Sequence, residues 1–147
     1  MQAVATSIRI GAPDDLLWIV FADPLCQSVP DRAKLIENAL SRNECLVAVD
    51  DGKIVGYVIL NISFFGQAFI PLLVVATDRR RSGIGSSLLI EAEARCNREK
   101  LFTSTNEFNI PAQRLFEKGG FLPSGRIENL DEVDDELIFC KWLRRAA

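Results

Sequence analysis

The most informative stretch of the chain is residues 74–89, VVATDRRRSGIGSSLL. An apolar run ends here, a basic segment with two glycines follows, and a helical pattern begins. The first turn of a helix carries free N–H groups and the positive end of the helix dipole. Glycine lacks the Cβ atom that would block the close approach of an anion. The stretch therefore predicts a site for a phosphate or pyrophosphate, with arginine donors beside it.

Two other kinds of phosphate loop fit these residues less well. A Walker A loop ends in Gly-Lys followed by Ser or Thr, whereas Gly85 is followed by Ser86 and Ser87. A dinucleotide fingerprint needs a third glycine where this chain has Leu88. The fingerprint also follows a strand early in the chain, whereas the strand before this loop lies in the middle of the chain. A basic run is usually a solvated surface, but the position of residues 79–81 directly before Gly83 favours a phosphate role for all three arginines.

Hydrophobic periodicity and turn residues predict the elements around this stretch. Strands are expected at residues 7–10, 45–49, 54–60, 68–75, 101–105, 121–127 and 136–143. Helices are expected to open near Ala12 and Ser28 and to span residues 86–100 and 109–118, with residues 61–67 as a connection. The almost purely apolar run 68–75 suits a strand buried on both faces. Hairpins mixed with two strand-helix-strand crossovers predict an α/β (α+β) fold, a central sheet that is part parallel and part antiparallel.

Length and composition limit the class of protein. The chain has 147 residues, which predicts a single domain over residues 1–147. Its 17 basic and 20 acidic residues give a net charge of −3, which argues against a dedicated nucleic-acid binder. The sequence has no histidine, which excludes Ser-His-Asp and Cys-His catalysis. The four cysteines are scattered, so we expect reduced thiols and no metal site. Residues 1–9 lack signal-peptide features and no apolar run is long enough to span a membrane, so we expect a cytoplasmic protein.

Two motifs in register resemble one enzyme family. Arg80-x-x-Gly83-x-Gly85 after an apolar strand resembles the acyl-CoA pyrophosphate loop of the GNAT N-acetyltransferases. Residues 109–121, NIPAQRLFEKGGF, are similar to the family pattern Asn-x-x-Ala-x-x-Leu-Tyr-x-x-x-Gly-Phe. The resemblance covers residues 45–143 and, more loosely, the first 44. It implies a GNAT-like mixed sheet of about six or seven strands flanked by about four helices, splayed in the middle to hold acyl-CoA.

The resemblance also implies which residues bind the cofactor. The backbone of Leu73, Val74 and Val75 would bind the pantetheine arm, where that strand should part from residues 101–105. Asn109 would contact the pantetheine or hold the start of its helix, and Phe116 stands at the family's tyrosine position. The pyrophosphate would be held by main-chain N–H groups next to the Arg80 side chain, namely those of Arg81, Ser82, Gly83, Ile84, Gly85 and Ser86.

Two departures from the family pattern concern proton transfer. In many members the tyrosine hydroxyl protonates the departing thiolate, which Phe116 cannot do. Many members also carry a glutamate on the strand where this chain reads Thr103-Ser104-Thr105, and residues 68–75 contain no acid. The usual positions for a general base are therefore empty.

Three residues remain as candidates for catalysis, and each has an ordinary structural explanation as well. Glu107 is a candidate base or a solvated turn acid, and Tyr57 is a candidate donor or a half-buried sheet residue. Asn106 is a candidate polar contact or a turn-forming residue. The acidic residues 128–136 form either a solvated loop or a rim that attracts a cationic amine.

The sequence thus predicts an N-acetyltransferase that moves an acetyl group from acetyl-CoA directly to a primary amine of a small molecule or peptide. Acetyl-CoA would be the acyl-donor cosubstrate, with no metal, no membrane and no nucleic acid involved. A monomer or homodimer is expected. Two alternatives stay open: a CoA-binding module without transferase activity, and an acetyltransferase acting on a macromolecular amine.

Overall fold

The computed structural model describes residues 6–80 and 82–143. Within them the strands form one seven-stranded sheet in the order β1-β2-β3-β4-β5-β7-β6. The strands are β1 (Ser7–Ile10), β2 (Cys45–Asp50), β3 (Lys53–Phe64), β4 (Gln67–Val75), β5 (Lys100–Asn106), β6 (Leu122–Ile127) and β7 (Glu136–Trp142). The α-helices are α1 (Leu16–Ala22), α2 (Arg32–Ser41), α3 (Ile84–Arg95) and α4 (Ile110–Lys118). The predicted mixed sheet flanked by four helices is confirmed.

The sheet is antiparallel at both ends and parallel where β4 meets β5. β1 with β2, β2 with β3, β5 with β7 and β6 with β7 are antiparallel pairs. The parallel register of β4 and β5 joins Ala68–Ile70 to Leu101–Thr103. Pro71 follows at once and has no N–H to donate, while the carbonyl of Ile70 accepts a hydrogen bond from the Thr103 hydroxyl at 3.0 Å. This proline and this threonine explain why the pairing stops where it does.

The described chain divides into two compact units. Of the described residues, the first unit comprises 6–60, 72–80 and 82–92, and the second comprises 61–71 and 93–143. In the first unit, α1 and α2 bury apolar side chains against β2 and β3, including Ile19, Ile36, Leu40, Val47 and Ile59. Leu72 and Val74 of β4 pack against the same cluster.

Aromatic rings organise the second unit. Phe116 of α4 lies 5.9 Å from Phe121 and 5.6 Å from Phe139, measured between ring centroids. A separate group is centred on Phe64, whose ring stacks on Phe69 at 5.0 Å and lies 5.3 Å from Phe102. Rings so spaced contribute about 0.5–1.5 kcal/mol per pair beyond the area they bury.

Three local predictions need correction. The helix predicted to reach residue 100 ends at Arg95, because the Cys96 N–H bonds three residues back to Glu93 and the chain then turns into β5. Residues 61–64 belong to β3 rather than to a connection, so the turn is only Phe65-Gly66, both with positive φ. β4 alternates between buried and half-buried side chains up to Ile70 and is half-buried from Pro71 to Val75, so it is not buried on both faces.

No α-helix among the described residues has both the length and the apolar character needed to cross a membrane.

Candidate active site

The predicted phosphate loop leads into α3 in the first unit. Gly83 has a φ of +85°, a left-handed conformation that glycine adopts without strain. An added Cβ there would meet no described atom within 4 Å, so the glycine faces open space. The N–H of Ser87 is bonded to Gly83 O at 3.0 Å, and the N–H groups before it in α3 have no acceptor within the helix. The loop thus presents bare main-chain donors, as a phosphate site requires.

Of the three arginines before the glycines, Arg79 has a partner within the protein that the sequence did not predict. The Arg79 guanidinium is bound to the buried Asp50 carboxylate at the end of β2, so it is not free for a phosphate. Arg79 also holds the loop by its main chain, since its N–H donates to Ala76 O at 2.9 Å and its carbonyl accepts from the Ser82 hydroxyl. Arg80 is exposed, and Arg81 lies outside the described residues. Arg79 therefore anchors the loop, a role that nothing in the local sequence indicated.

A glycine on β3 sets the distance between β4 and α3. A Cβ added at Gly56 would lie 2.9 Å from Val74 O, 3.2 Å from Leu88 Cδ1 and 3.3 Å from Ile84 Cγ2. The contact with a backbone carbonyl cannot relax by rotating a side chain, so any larger residue would displace the strand. Gly56 thereby positions the predicted pantetheine-binding residues 73–75, of which Leu73 and Val75 alternate with the core-facing Leu72 and Val74.

An apolar cavity of about 290 Å³ lies beside this loop in the first unit. Trp18 and Phe21 of α1 line it and are 64% and 83% exposed, so they form a wall and not part of the core. The rest of the lining includes Pro24, Ile54, Ala76 and Arg79.

Tyr57 is buried in a polar network in the first unit. Its hydroxyl donates to Asp23 Oδ2 at 2.5 Å, and Arg32 Nε donates to the same oxygen at 2.8 Å. Burial by itself raises the pKa of Asp23, but these two hydrogen bonds outweigh it, and the net pKa is lowered. Burial and the bond to Asp23 raise the pKa of Tyr57. With only 1% of its surface exposed, Tyr57 stabilises the α1–α2 connection in this structure.

The other two catalytic candidates lie at one turn of the second unit. Glu107 Oε2 accepts a hydrogen bond from Arg126 at 3.0 Å, and Arg126 also binds Asp135 at 2.7 Å. The N–H of Glu107 bonds to Asp135 O at 2.9 Å. Asn106 ends β5, and its carbonyl accepts from the N–H of Asn109 at 3.0 Å. Asn106 is partly exposed, and Glu107 is exposed and held in an ion pair.

Asn109 and Phe116 of the second motif both have structural roles in α4. The Asn109 side chain accepts from Ala112 N at 3.2 Å and so caps the helix, an interaction that stabilises by roughly 1 kcal/mol. Phe116 is 4% exposed within its aromatic cluster. A phenylalanine, which lacks the hydroxyl of the family tyrosine, is compatible with this apolar environment.

The acidic segment 128–136 is tied to the same turn. Asp134 accepts from Phe108 N at 3.1 Å, and Glu136 Oε2 accepts from the Ser104 hydroxyl at 2.7 Å. Part of the segment therefore positions its neighbours, which a purely solvated loop would not do. The described residues contain no group of side chains suited to a metal ion, and none of the four cysteines forms a disulfide.

Comparisons with known proteins agree with this arrangement. A sequence model described as the Acetyltransferase (GNAT) family matches residues 14–121. A GNAT-family acetyltransferase from Bacillus cereus is 33% identical, with 96% of this chain and 99% of that chain covered and a TM-score of 0.88. No curated protein sequence matches the chain.

Two more distant structures share the fold. One is the ribosomal-protein-S18-alanine N-acetyltransferase from Escherichia coli, 20% identical, with 97% of each chain covered and a TM-score of 0.81. The other is the diaminobutyrate acetyltransferase EctA from Paenibacillus lautus in complex with L-2,4-diaminobutyric acid and coenzyme A, 18% identical, with 99% of each chain covered and a TM-score of 0.79. With a family match that spans well over half of its length, the chain belongs to the GNAT acetyltransferase family.

Proposed function

We propose that this protein transfers an acetyl group from acetyl-CoA to a primary amine of a small molecule or peptide. The observation that carries the proposal is the loop at the start of α3, where Gly83 and the free N–H groups suit a pyrophosphate. Main-chain N–H groups of residues 81–86 would hold the pyrophosphate, with Arg80 beside them. The backbone of Leu73, Val74 and Val75 would bind the pantetheine arm.

The reaction would be a direct attack by the amine on the thioester. Holding amine and thioester together supplies much of the rate, and the backbone of Val75 would polarise the carbonyl. Phe116 has no hydroxyl with which to protonate the leaving group. A thiol has an ordinary pKa near 8.5, so a CoA thiolate is a tolerable leaving group near neutral pH.

Two observations bear on the class of the acceptor amine. Two proteins of the same fold act on amines of different size, a diamino acid and the alanine of a ribosomal protein. The partly exposed carboxylates of segment 128–136 would attract a cation. We therefore test L-2,4-diaminobutyrate, spermidine and a peptide with an N-terminal alanine, so that small and peptide amines are both represented.

Calorimetry with coenzyme A and a thiol-release assay with acetyl-CoA test the proposal. We expect coenzyme A to bind, pantetheine (which lacks the pyrophosphate) to bind far more weakly, and at least one amine to release thiol. Equal binding of coenzyme A and pantetheine would contradict the role of the loop.

A second candidate is a CoA-binding module without transferase activity. Phe116 at the tyrosine position and the absence of an acid from β4 and from residues 101–105 favour it. Tight binding of coenzyme A with no thiol release for any amine in the panel would support this alternative.

A further inference from the structure

We propose that the apolar cavity beside the phosphate loop receives the apolar part of the acceptor, so that the enzyme selects primary amines carrying one aromatic or large aliphatic group. Trp18 and Phe21 of α1 would determine this specificity. The inference rests on the proposed acetyl transfer and names its substrate class. Such an amine is either a free arylalkylamine or the N-terminus of a peptide whose first side chain is large and apolar, and both present the same chemistry.

The composition of α1 is the first observation behind this proposal. All seven residues of the helix, Leu16–Ala22, are apolar. One side of the helix meets the core, where Ile19 is fully buried. A surface helix normally carries polar residues on its outer side, whereas Leu17, Trp18 and Phe21 are large, apolar and exposed here. Exposed apolar side chains grouped in this way indicate contact with a ligand or partner.

The position of the cavity is the second observation. Its lining includes Val55 and Ala76, which are joined by a hydrogen bond from Ala76 N to Val55 O at 2.9 Å. Ala76 directly follows Val75, whose backbone would polarise the thioester carbonyl, and neighbouring Cα atoms are about 3.8 Å apart. The cavity, the loop and residues 72–75 all belong to the first unit. An amine that attacks at the end of β4 can therefore place its substituent in the cavity.

The chemistry of the lining indicates what kind of substituent fits. Lys53, Thr77, Asp78 and Arg79 are polar, and the other lining side chains are apolar. The two cations are balanced by the carboxylates of Asp78 and of Asp50, the partner of Arg79, so no net negative charge attracts a second ammonium. Moving an ammonium from water to apolar walls is costly. The lining therefore favours an uncharged substituent over the second amino group of a diamine.

The size of the cavity limits the substituent further. Its volume of about 290 Å³ is at the small end of the range for ligand pockets, about 300–1,000 Å³. This volume suits a single ring or branched chain and not a large ligand. The exposed faces of Trp18 and Phe21 would lose their contact with water when a ring covers them, which is the source of the expected selectivity.

The first experiment compares two matched pairs of acceptors. Thiol release from acetyl-CoA is measured with 2-phenylethylamine and ethylamine, and with two peptides that differ only in an N-terminal Phe or Ala. Rates are expressed per concentration of unprotonated amine, so that differences in amine pKa do not enter. We expect the aromatic member of at least one pair to be favoured by about 30-fold in kcat/KM, because its ring is buried in the cavity.

The second experiment repeats these assays with Phe21→Ala and with Leu17→Ala as a matched control. Both side chains are exposed on α1, but Leu17 is not part of the cavity lining. We expect the preference for the aromatic acceptor to fall below about fivefold in Phe21→Ala and to stay near 30-fold in Leu17→Ala. Coenzyme A affinity in calorimetry should be the same in all three proteins, which shows that the loop is intact.

Each outcome decides one of the two hypotheses. Equal kcat/KM within both pairs overturns this inference while the proposed function stands. A preference that survives in Phe21→Ala, or falls equally in Leu17→Ala, also overturns it. A preference confined to the free amines or to the peptides supports the inference and identifies the source of the acceptor. A wild-type protein that binds coenzyme A but releases no thiol with any amine overturns the proposed function, and this inference with it.

Discussion

The loop that opens α3 and the turn that follows β5 are held in place by different kinds of contact. The loop at residues 82–86 offers main-chain N–H groups and owes its shape to Gly83 and to the anchor Arg79. The turn at residues 106–109 is held by side chains, in ion pairs that join Glu107 and Asp135 through Arg126. A main-chain site needs particular backbone angles and little else, so it leaves a short local motif. A side-chain site is assembled from distant residues and leaves none.

The largest effect is expected where the main-chain site is blocked. Gly83→Glu introduces a left-handed strain, bulk and a negative charge, and should lower coenzyme A affinity by more than about 100-fold. Gly52→Glu is a matched control, since Gly52 has a φ of +71° and open space around it but lies in the β2–β3 turn. Calorimetry on both variants measures the difference. Similar losses in the two would show that backbone strain alone is responsible.

Removing the Tyr57 hydroxyl should weaken the first unit without touching the loop. Tyr57→Phe leaves the buried Asp23 with one hydrogen bond fewer, which costs about 1–3 kcal/mol of unfolding free energy. The pKa of Asp23 is lowered in the fold, so its contribution is present above the unfolded value near 4 and is lost as the pH falls below it. The difference in unfolding free energy between wild type and Tyr57→Phe should therefore be smaller in acid. Urea unfolding at pH 7 and pH 3 measures this difference, and a larger difference at pH 3 would contradict the proposed role of the hydrogen bond.

Removing the Arg79–Asp50 ion pair that anchors the loop should lower coenzyme A affinity by an intermediate amount. Arg79→Met frees residues 77–82 and leaves Asp50 without its cation, and we expect coenzyme A affinity to fall by about tenfold, or roughly 1.4 kcal/mol. Turnover with acetyl-pantetheine, which lacks the pyrophosphate, should change little. An equal loss with both donors would show that Arg79 serves general stability and not the loop.

The smallest effect is expected at the exposed ion pairs of the turn. Arg126→Gln removes the partner of Glu107 and Asp135, but exposed pairs contribute little and are screened by salt. We expect unchanged coenzyme A affinity and at most about a threefold change in the KM for the amine, vanishing in 0.5 M salt. A large loss of coenzyme A affinity would remove the contrast between the two regions.

The turns and helix ends that the sequence predicted correctly are those marked by local signals. The glycines of the loop, the Asp51-Gly52 turn and the helix stop at Gly119-Gly120 act within a few residues, and they mark the elements that the structure contains. Pro71 was a readable signal as well, because a proline inside a central strand interrupts the hydrogen-bond ladder.

Local signals do not predict contacts between residues that are far apart in the sequence. Arg79 and Asp50 are 29 residues apart, and Ser104 and Glu136 are 32 apart. Which acid meets which partner depends on strand register, and a shift of one residue would turn the Glu136 side chain to the opposite face. The early end of α3 also lacked a local signal, because the Cys96 N–H bonds to Glu93 O there and no glycine or proline follows in residues 96–100.

The exposed indole of Trp18 gives the chain an intrinsic optical reporter. Trp18 shares its cavity with Arg79, and the chain contains one other tryptophan, Trp142. With Trp142 replaced by Phe, all indole fluorescence would come from the wall of that cavity. Its emission wavelength would then follow solvent access there in real time, without any attached dye.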